Sequence, residues 1–224
     1  MLVLNGIIRR FGEIVDQSKD NTLNALNNGE IQDESAITGR FLAFLVNEIN
    51  QHGREMIGTE GIRITSSILT DRGFSSAESR FGADFGVILD INIDGFTLKK
   101  GFICQAKRET NSITIRHHQF RTSVLFNDNQ QLTRLQRQIE NMLTITPDSF
   151  VIIYGQNEFV MVPAISISGL DTSGELYGKQ VSKFFKDFLM CFIGDRRLTR
   201  NPEDWAEIKT STAQILSIEI KQKY

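Results

Sequence analysis

Cysteine is scarce: the 224 residues hold two, Cys104 and Cys191. Both lie in apolar stretches without metal-ligand spacing, which points to two buried thiols in a reducing compartment rather than a cysteine-based metal site. Long apolar runs are also missing, since charges break the longest of them within about ten residues, well short of the roughly 20 needed to cross a bilayer. The N-terminal stretch MLVLNGIIRRFGEIV has no basic segment ahead of its apolar part and no small-residue cleavage site, so no secretory leader is expected and the cytoplasm is the expected compartment. Charge of one sign is absent too. The 25 Lys and Arg against 27 Asp and Glu leave a formal net charge of −2, so any nucleic acid would have to be met by a local basic surface. Two enzyme classes lose their support. No GxxxxGK[ST] or GxGxxG element follows a strand, and no Ser or Cys sits in a nucleophile elbow.

What is present is an ordinary globular composition, 40% hydrophobic and 23% charged, with 16 phenylalanines to fill an interior. The order of patterns predicts an α/β fold: one domain over residues 1–224, with a mixed central β-sheet flanked by helices and a core from about 30 to 165. Leu4, Ile7, Ile8, Phe11, Ile14 and Val15 have helical spacing, and Asn27, Asn28 and Gly29 mark a loop after them. A second helix carries Ile37, Phe41, Phe44, Leu45 and Ile49 on one face, with Asp33 able to cap its start. Glu34 falls on the same core-facing stripe, an unusual place for a carboxylate. Gly58, Gly61 and Gly73 mark a flexible middle stretch.

Strand, Asp94-Gly95 turn and strand follow, predicting a hairpin. Residues 113–126 are ambiguous. Leu132, Leu135, Ile139, Met142 and Leu143 make an amphipathic helix, FVIIYG from Phe150 a strand buried on both faces, and EFVMVPA its neighbour. A Phe-rich core helix is expected over Lys179–Phe192, then a short helix around Trp205 and the alternating terminal strand ILSIEIKQ. Asp195, Arg196, Arg197 and Arg200 read as an exposed charged turn.

The chemistry concentrates at GFICQAKRE, Gly101 to Glu109. Side chains alternate along a strand, so Gln105 and Lys107 share one face while Cys104 and Ala106 share the other. An exposed edge strand, where lysine discourages pairing with other chains, is one explanation. A site is the other. Asp84 enters the first strand of the hairpin, so pairing across Asp94-Gly95 brings it beside Gln105 and Lys107. A carboxylate, an amide and an ammonium then converge at one end of the hairpin.

Gly82-Ala83-Asp84, an Asp-Gly hairpin and Gln105-Ala106-Lys107 together resemble the core of the PD-(D/E)XK nucleases, the restriction-endonuclease-like superfamily, in its QxK variant. The resemblance runs from about Glu34 to the helix ending near Met142. It implies that Asp84 binds metal, that Gln105 stands where most members have an acidic ligand, and that Lys107 is the motif lysine. Glu34 matches a glutamate often supplied by the helix before the sheet. Phosphodiester hydrolysis fits these residue types, because Mg²⁺ or Mn²⁺ held by carboxylates and carbonyl oxygens activates water and neutralises phosphate charge. With an amide at 105, a further carboxylate has to complete the shell, from Glu34 or from Glu78. Glu34 could equally cap its helix, and Glu78 could be a surface loop residue. Lys107 would orient the attacking water or stabilise the transition state.

Arg108, Arg116 and Arg121, with Arg134 and Arg137, either line a surface for the nucleic acid backbone or solvate a helix face. Gln131, with Gln130 and Gln138, is a further substrate-contact candidate. His117 and His118 are expected to be solvated or to touch phosphate, with no metal role. The expectation is a metal-dependent endodeoxyribonuclease, with RNA as the second choice of substrate and restriction or anti-phage defence as the family-level setting. The slightly acidic chain implies a dimer, or a partner subunit that delivers the substrate. The competing expectation is a non-catalytic module of the same fold acting in nucleic acid binding or assembly.

Overall fold

The computed structural model describes residues 2–52, 62–69, 83–119, 121–198 and 214–222. Asp94-Gly95 closes a hairpin between β2 (Phe85–Ile93) and β3 (Phe96–Arg108). Gly95 has φ 72°, the left-handed conformation that glycine adopts without a Cβ penalty. Further along β3 the backbone needs another glycine for a different reason. A Cβ on Gly101 would stand 2.7 Å from the Val87 carbonyl oxygen and 3.0 Å from Leu198 Cβ.

Among the described residues the hairpin lies inside a mixed sheet of nine strands. Besides β2 and β3 these are β1 (Ile62–Leu69), β4 (Ile113–His117), β5 (Thr122–Phe126), β6 (Ser149–Tyr154), β7 (Phe159–Pro163), β8 (Gly174–Gln180) and β9 (Gln214–Gln222). Their order is β1-β9-β2-β3-β6-β7-β8-β5-β4. The β9–β2 and β3–β6 neighbours are parallel and the other neighbours antiparallel. β3 pairs with β2 on one side as far as Cys104 and with β6 on the other through Arg108, so Gln105 and Lys107 lie where an interior strand extends past β2 and is paired with β6 alone.

Helices cover both faces. On one lie α1 (Leu2–Asn27), α2 (Glu34–His52) and α5 (Val181–Leu189), on the other α3 (Asn129–Ile145) and α4 (Ala164–Ser168). The phenylalanines account for much of the first layer. Phe102 of β3 meets the rings of Phe150, Phe184, Phe185 and Phe188 edge-on, at centroid separations of 5.0–6.0 Å, an arrangement favoured by the ring quadrupole. No described helix is long and apolar enough to cross a membrane.

Several expectations change. The first helix runs to Asn27, and residues 113–126 form the β4–β5 hairpin. α5 begins at Val181 and not at Lys179, because residues 174–180 are held as a strand by β5 and β7. It ends at Leu189, leaving Phe192 79% exposed instead of in the core. Cys191 is exposed with φ 69°, so only Cys104 is a buried thiol. The strand ILSIEIKQ is buried on both faces over Ile215–Ile218 rather than alternating, since β9 is inserted between β1 and β2. Asp195 is not a solvated turn residue. Its carboxylate accepts from Thr146 Oγ1 at 2.8 Å and from the Arg197 guanidinium, while its backbone bridges Gly101. Gly58, Gly61, Gly73, Arg200 and the helix expected around Trp205 lie outside the described residues.

Candidate functional site

The hairpin register sets Phe85 against Cys104, so Asp84, one residue earlier, arrives beside Gln105. The Asp84 N–H donates to the Cys104 carbonyl at 2.8 Å and fixes the backbone there. Asp84 Oδ2 accepts from Gln105 Nε2 at 2.5 Å and from the Ala106 N–H at 2.6 Å. Gln105, 3% exposed, also donates to the Ala106 carbonyl at 3.1 Å. Its amide NH₂ therefore stands between a carboxylate oxygen and a main-chain carbonyl oxygen, both turned toward one point. Cys104 on the opposite face takes no part. Burial first, and the Asp84 charge second, push its thiol well above the ordinary value, so it stays neutral.

Glu34 approaches from the other layer. The first turn of α2 is set by Asp33, whose carboxylate accepts from the Ala36 N–H at 2.7 Å and from Ser35 Oγ at 2.9 Å. These bonds, the backbone one foremost, hold Asp33 below the usual carboxylate range. Thr38 then ties the turn to the sheet, donating to the Glu34 carbonyl at 2.8 Å and lying 2.8 Å from the buried Tyr154 hydroxyl of β6. The Glu34 side chain is 39% exposed, so it does not join the core as its place on the stripe implied. It reaches past the end of β3. Oε1 accepts from the Arg108 N–H at 2.9 Å and Oε2 lies 3.4 Å from Lys107 Nζ.

Lys107 and Glu34 line a cleft of about 420 Å³ together with the buried Ile113 and Leu135 and with Gln131, Arg134, Arg137 and Gln138 of α3. This corner therefore combines a carboxylate–amide couple, a lysine, a second carboxylate and an arginine-bearing helix face. Its carboxylates and the Ala106 carbonyl offer oxygen ligands, the chemistry of a hard divalent cation site, while Gln105 presents its NH₂. Among the described residues no three His, Cys, Asp or Glu side chains gather as a metal-binding group, and Glu78 lies outside those residues.

The other candidates separate. Gln131 is on the cleft wall. Arg108 is exposed and its guanidinium clamps the Gln32 carbonyl at 3.0 Å. Arg116 is exposed and lies 3.4 Å from Glu175. Arg121 is exposed, its carbonyl accepting from the His118 N–H at 2.8 Å.

Sequence reading missed a second polar group, made by His118 just after β4 with residues of β5 and β8. Glu175 Oε1 takes His118 Nε2 at 2.8 Å and the hydroxyl of the buried Ser123, and His118 Nε2 is also 3.0 Å from that hydroxyl. These bonds, that of Ser123 foremost, pull the Glu175 carboxyl down to about 2. The trio is not a nucleophile triad. Glutamate and serine share the same imidazole nitrogen, so the carboxylate cannot orient the ring from its far side. Only the cross-strand register brings it together, and the ambiguous pattern of 113–126 gave no sign of it. No family model matches the chain, and none of the curated proteins or solved structures compared with it does so either.

Proposed function

We propose that this protein is a metal-dependent nuclease that hydrolyses phosphodiester bonds in DNA, a QxK member of the PD-(D/E)XK superfamily. The observation that carries the reading is that Asp84 bonds Gln105 at the end of β3 while Lys107, two residues on along the same face, lines a cleft with Glu34, which arrives from the opposite layer. Asp84 and the Ala106 carbonyl would hold Mg²⁺ or Mn²⁺. Rotation of the Gln105 amide would turn its oxygen toward the place its NH₂ now takes, and Glu34 or Glu78 would complete the shell. Bound there, the cation supplies Lewis-acid polarisation of the phosphate and a more acidic water. Lys107 places an ammonium beside the phosphate, where it offsets the charge that builds in the transition state. Glu34 orients Lys107, and the α3 wall positions the backbone of the substrate.

The test incubates the full chain with plasmid and Mg²⁺ or Mn²⁺, alongside Lys107→Ala and Asp84→Ala. Cleavage by the parent chain that both substitutions abolish is the expected result. Cleavage that survives them overturns the site assignment.

A second reading has its own support. Both Glu34 oxygens and one Asp84 oxygen already engage protein donors, so the corner also suits a non-catalytic module that binds nucleic acid and stays closed. DNA binding without cleavage under either metal would favour it. A second copy or a partner subunit would supply the basic surface that the overall charge of −2 does not.

A further inference from the structure

Helix α3 presents three stripes, and only one of them is core. Leu132, Leu135, Ile139 and Met142 are buried. Gln131, Arg134, Leu135 and Gln138, spaced i, i+3, i+4, i+7, face the cleft that ends on Lys107. Gln130, Thr133, Arg134 and Arg137 repeat that spacing one residue earlier and line a separate depression of about 350 Å³, with Asn129 at its end. Arg134 and Arg137 line both. At 100° per residue the two stripes are adjacent, so the depressions are halves of one trough divided by an arginine pair.

The far half is built to receive an anion. The charged residues on its wall are both arginines, each exposed, and among the described residues no carboxylate pairs with either. Arg116 differs in being matched to Glu175. The Asn129 amide oxygen already accepts from the Ser173 N–H at 2.7 Å, so the amide has its NH₂ donors left to offer. Guanidinium and amide donors with no opposing acid suit a phosphate.

We propose that the far half of this trough is a second phosphate subsite, taking the phosphodiester that flanks the scissile linkage on the same strand, with Arg134 bridging the two. The placement beside a scissile linkage rests on the nuclease reading. The anion site itself does not.

Binding is measured on a short labelled DNA duplex in EDTA, so that no metal enters, over a range of salt, for the parent chain and for Arg134→Ala/Arg137→Ala. Both arginines are exposed, so the core is untouched. The double variant is expected to bind more weakly for every sequence tried, with the slope of log K against log salt reduced by about one to two units. The same duplex with single methylphosphonate linkages should show one flanking position at which the parent chain loses affinity and the double variant does not. Unchanged affinity and slope in the variant, or no salt-dependent DNA binding by the parent chain, overturns the subsite. Plasmid cleavage with Mg²⁺ is read separately on Lys107→Ala. A double variant that loses binding, in a protein that never cleaves, retains the phosphate site and refutes the nuclease reading. Normal cleavage with an unaltered salt slope does the reverse.

Discussion

Strand β3 carries three lysines, and two of them, Lys100 and Lys107, sit seven residues apart in different surroundings. Lys100 is 1% exposed. Its ammonium donates to the carbonyls of Phe188 and, at 2.6 Å, Ile193, and stands 4.6 Å from the Phe188 ring centroid. Burial holds it below the usual lysine value. Lys107 faces the other layer, 21% exposed, with a carboxylate 3.4 Å away and a cleft in front of it. The first lysine spends its donors on main-chain carbonyls at the end of α5 and ties that helix to the sheet. The second meets a side chain at a cavity mouth, where its charge can act on something that enters. A lysine on a buried strand is thus a functional candidate only when it faces a cavity and a carboxylate, not merely because it is there.

Two substitutions break this comparison most directly. Lys107→Ala should lower metal-dependent cleavage by about 10²- to 10⁴-fold, the scale of a lost acid–base or charge-stabilising group, while the thermal midpoint stays close to that of the parent chain. Lys100→Met should do the opposite. Removing the ammonium leaves two buried carbonyls without their donor, at about 1–3 kcal/mol each. At about 2–4 °C per kcal/mol for a chain of this size, calorimetry should read a midpoint drop on the order of 5–15 °C, with cleavage per folded molecule unchanged below it. A Lys100 variant that melts normally but does not cleave would reverse the roles.

Those two roles were unequally legible in the sequence. The Asp-Gly turn, the alternation of Gln105 and Lys107 and the position of Asp84 are local signals, and the hairpin register carries them into the structure unchanged. The stripes of α3 and the apolar run of β6 are likewise local. Lys100 gave no signal, because its partners are main-chain carbonyls 88 and 93 residues away. The same holds for Asp195, which reads as a polar turn until Thr146 and Gly101 are placed against it. Strand β9 looked half-buried because alternation says nothing of which strands will flank it. Phe192 misled in the other direction: the helical spacing of its neighbours continues past Leu189, but the helix does not.

Glu34 tests how far the Lys107 end depends on its neighbour. Glu34→Gln keeps an acceptor for the Arg108 N–H and removes the charge beside Lys107. If Glu34 orients the lysine, cleavage should fall about tenfold, a loss of about 1.4 kcal/mol in transition-state stabilisation. The loss should largely vanish when measured on a Lys107→Ala background, as expected for residues that act as a unit. If Glu34 is instead a metal ligand, the same substitution should raise the Mg²⁺ concentration needed for half-maximal rate. Titrating the metal separates the two.

The smallest expected effect lies at the far end of the sheet, where His118, Ser123 and Glu175 gather away from the Lys107 corner. The Glu175 carboxyl titrates at about 2 in the folded chain against an ordinary 4.5, so the folded state holds fewer protons than the unfolded state between those values. Its contribution to stability is therefore fully present above pH 4.5 and is lost as pH falls from 4.5 toward 2. Thermal midpoints across that window should fall less steeply for Glu175→Gln than for the parent chain. Ser123→Ala, which removes the largest cause of the shift, should move the start of the loss little and end it at a higher pH. Cleavage at neutral pH should be untouched by either substitution, because this trio lies apart from the Asp84 and Lys107 corner. A neutral-pH cleavage defect in Ser123→Ala with an unchanged midpoint would give the trio a catalytic part and dissolve the contrast with the Lys107 corner.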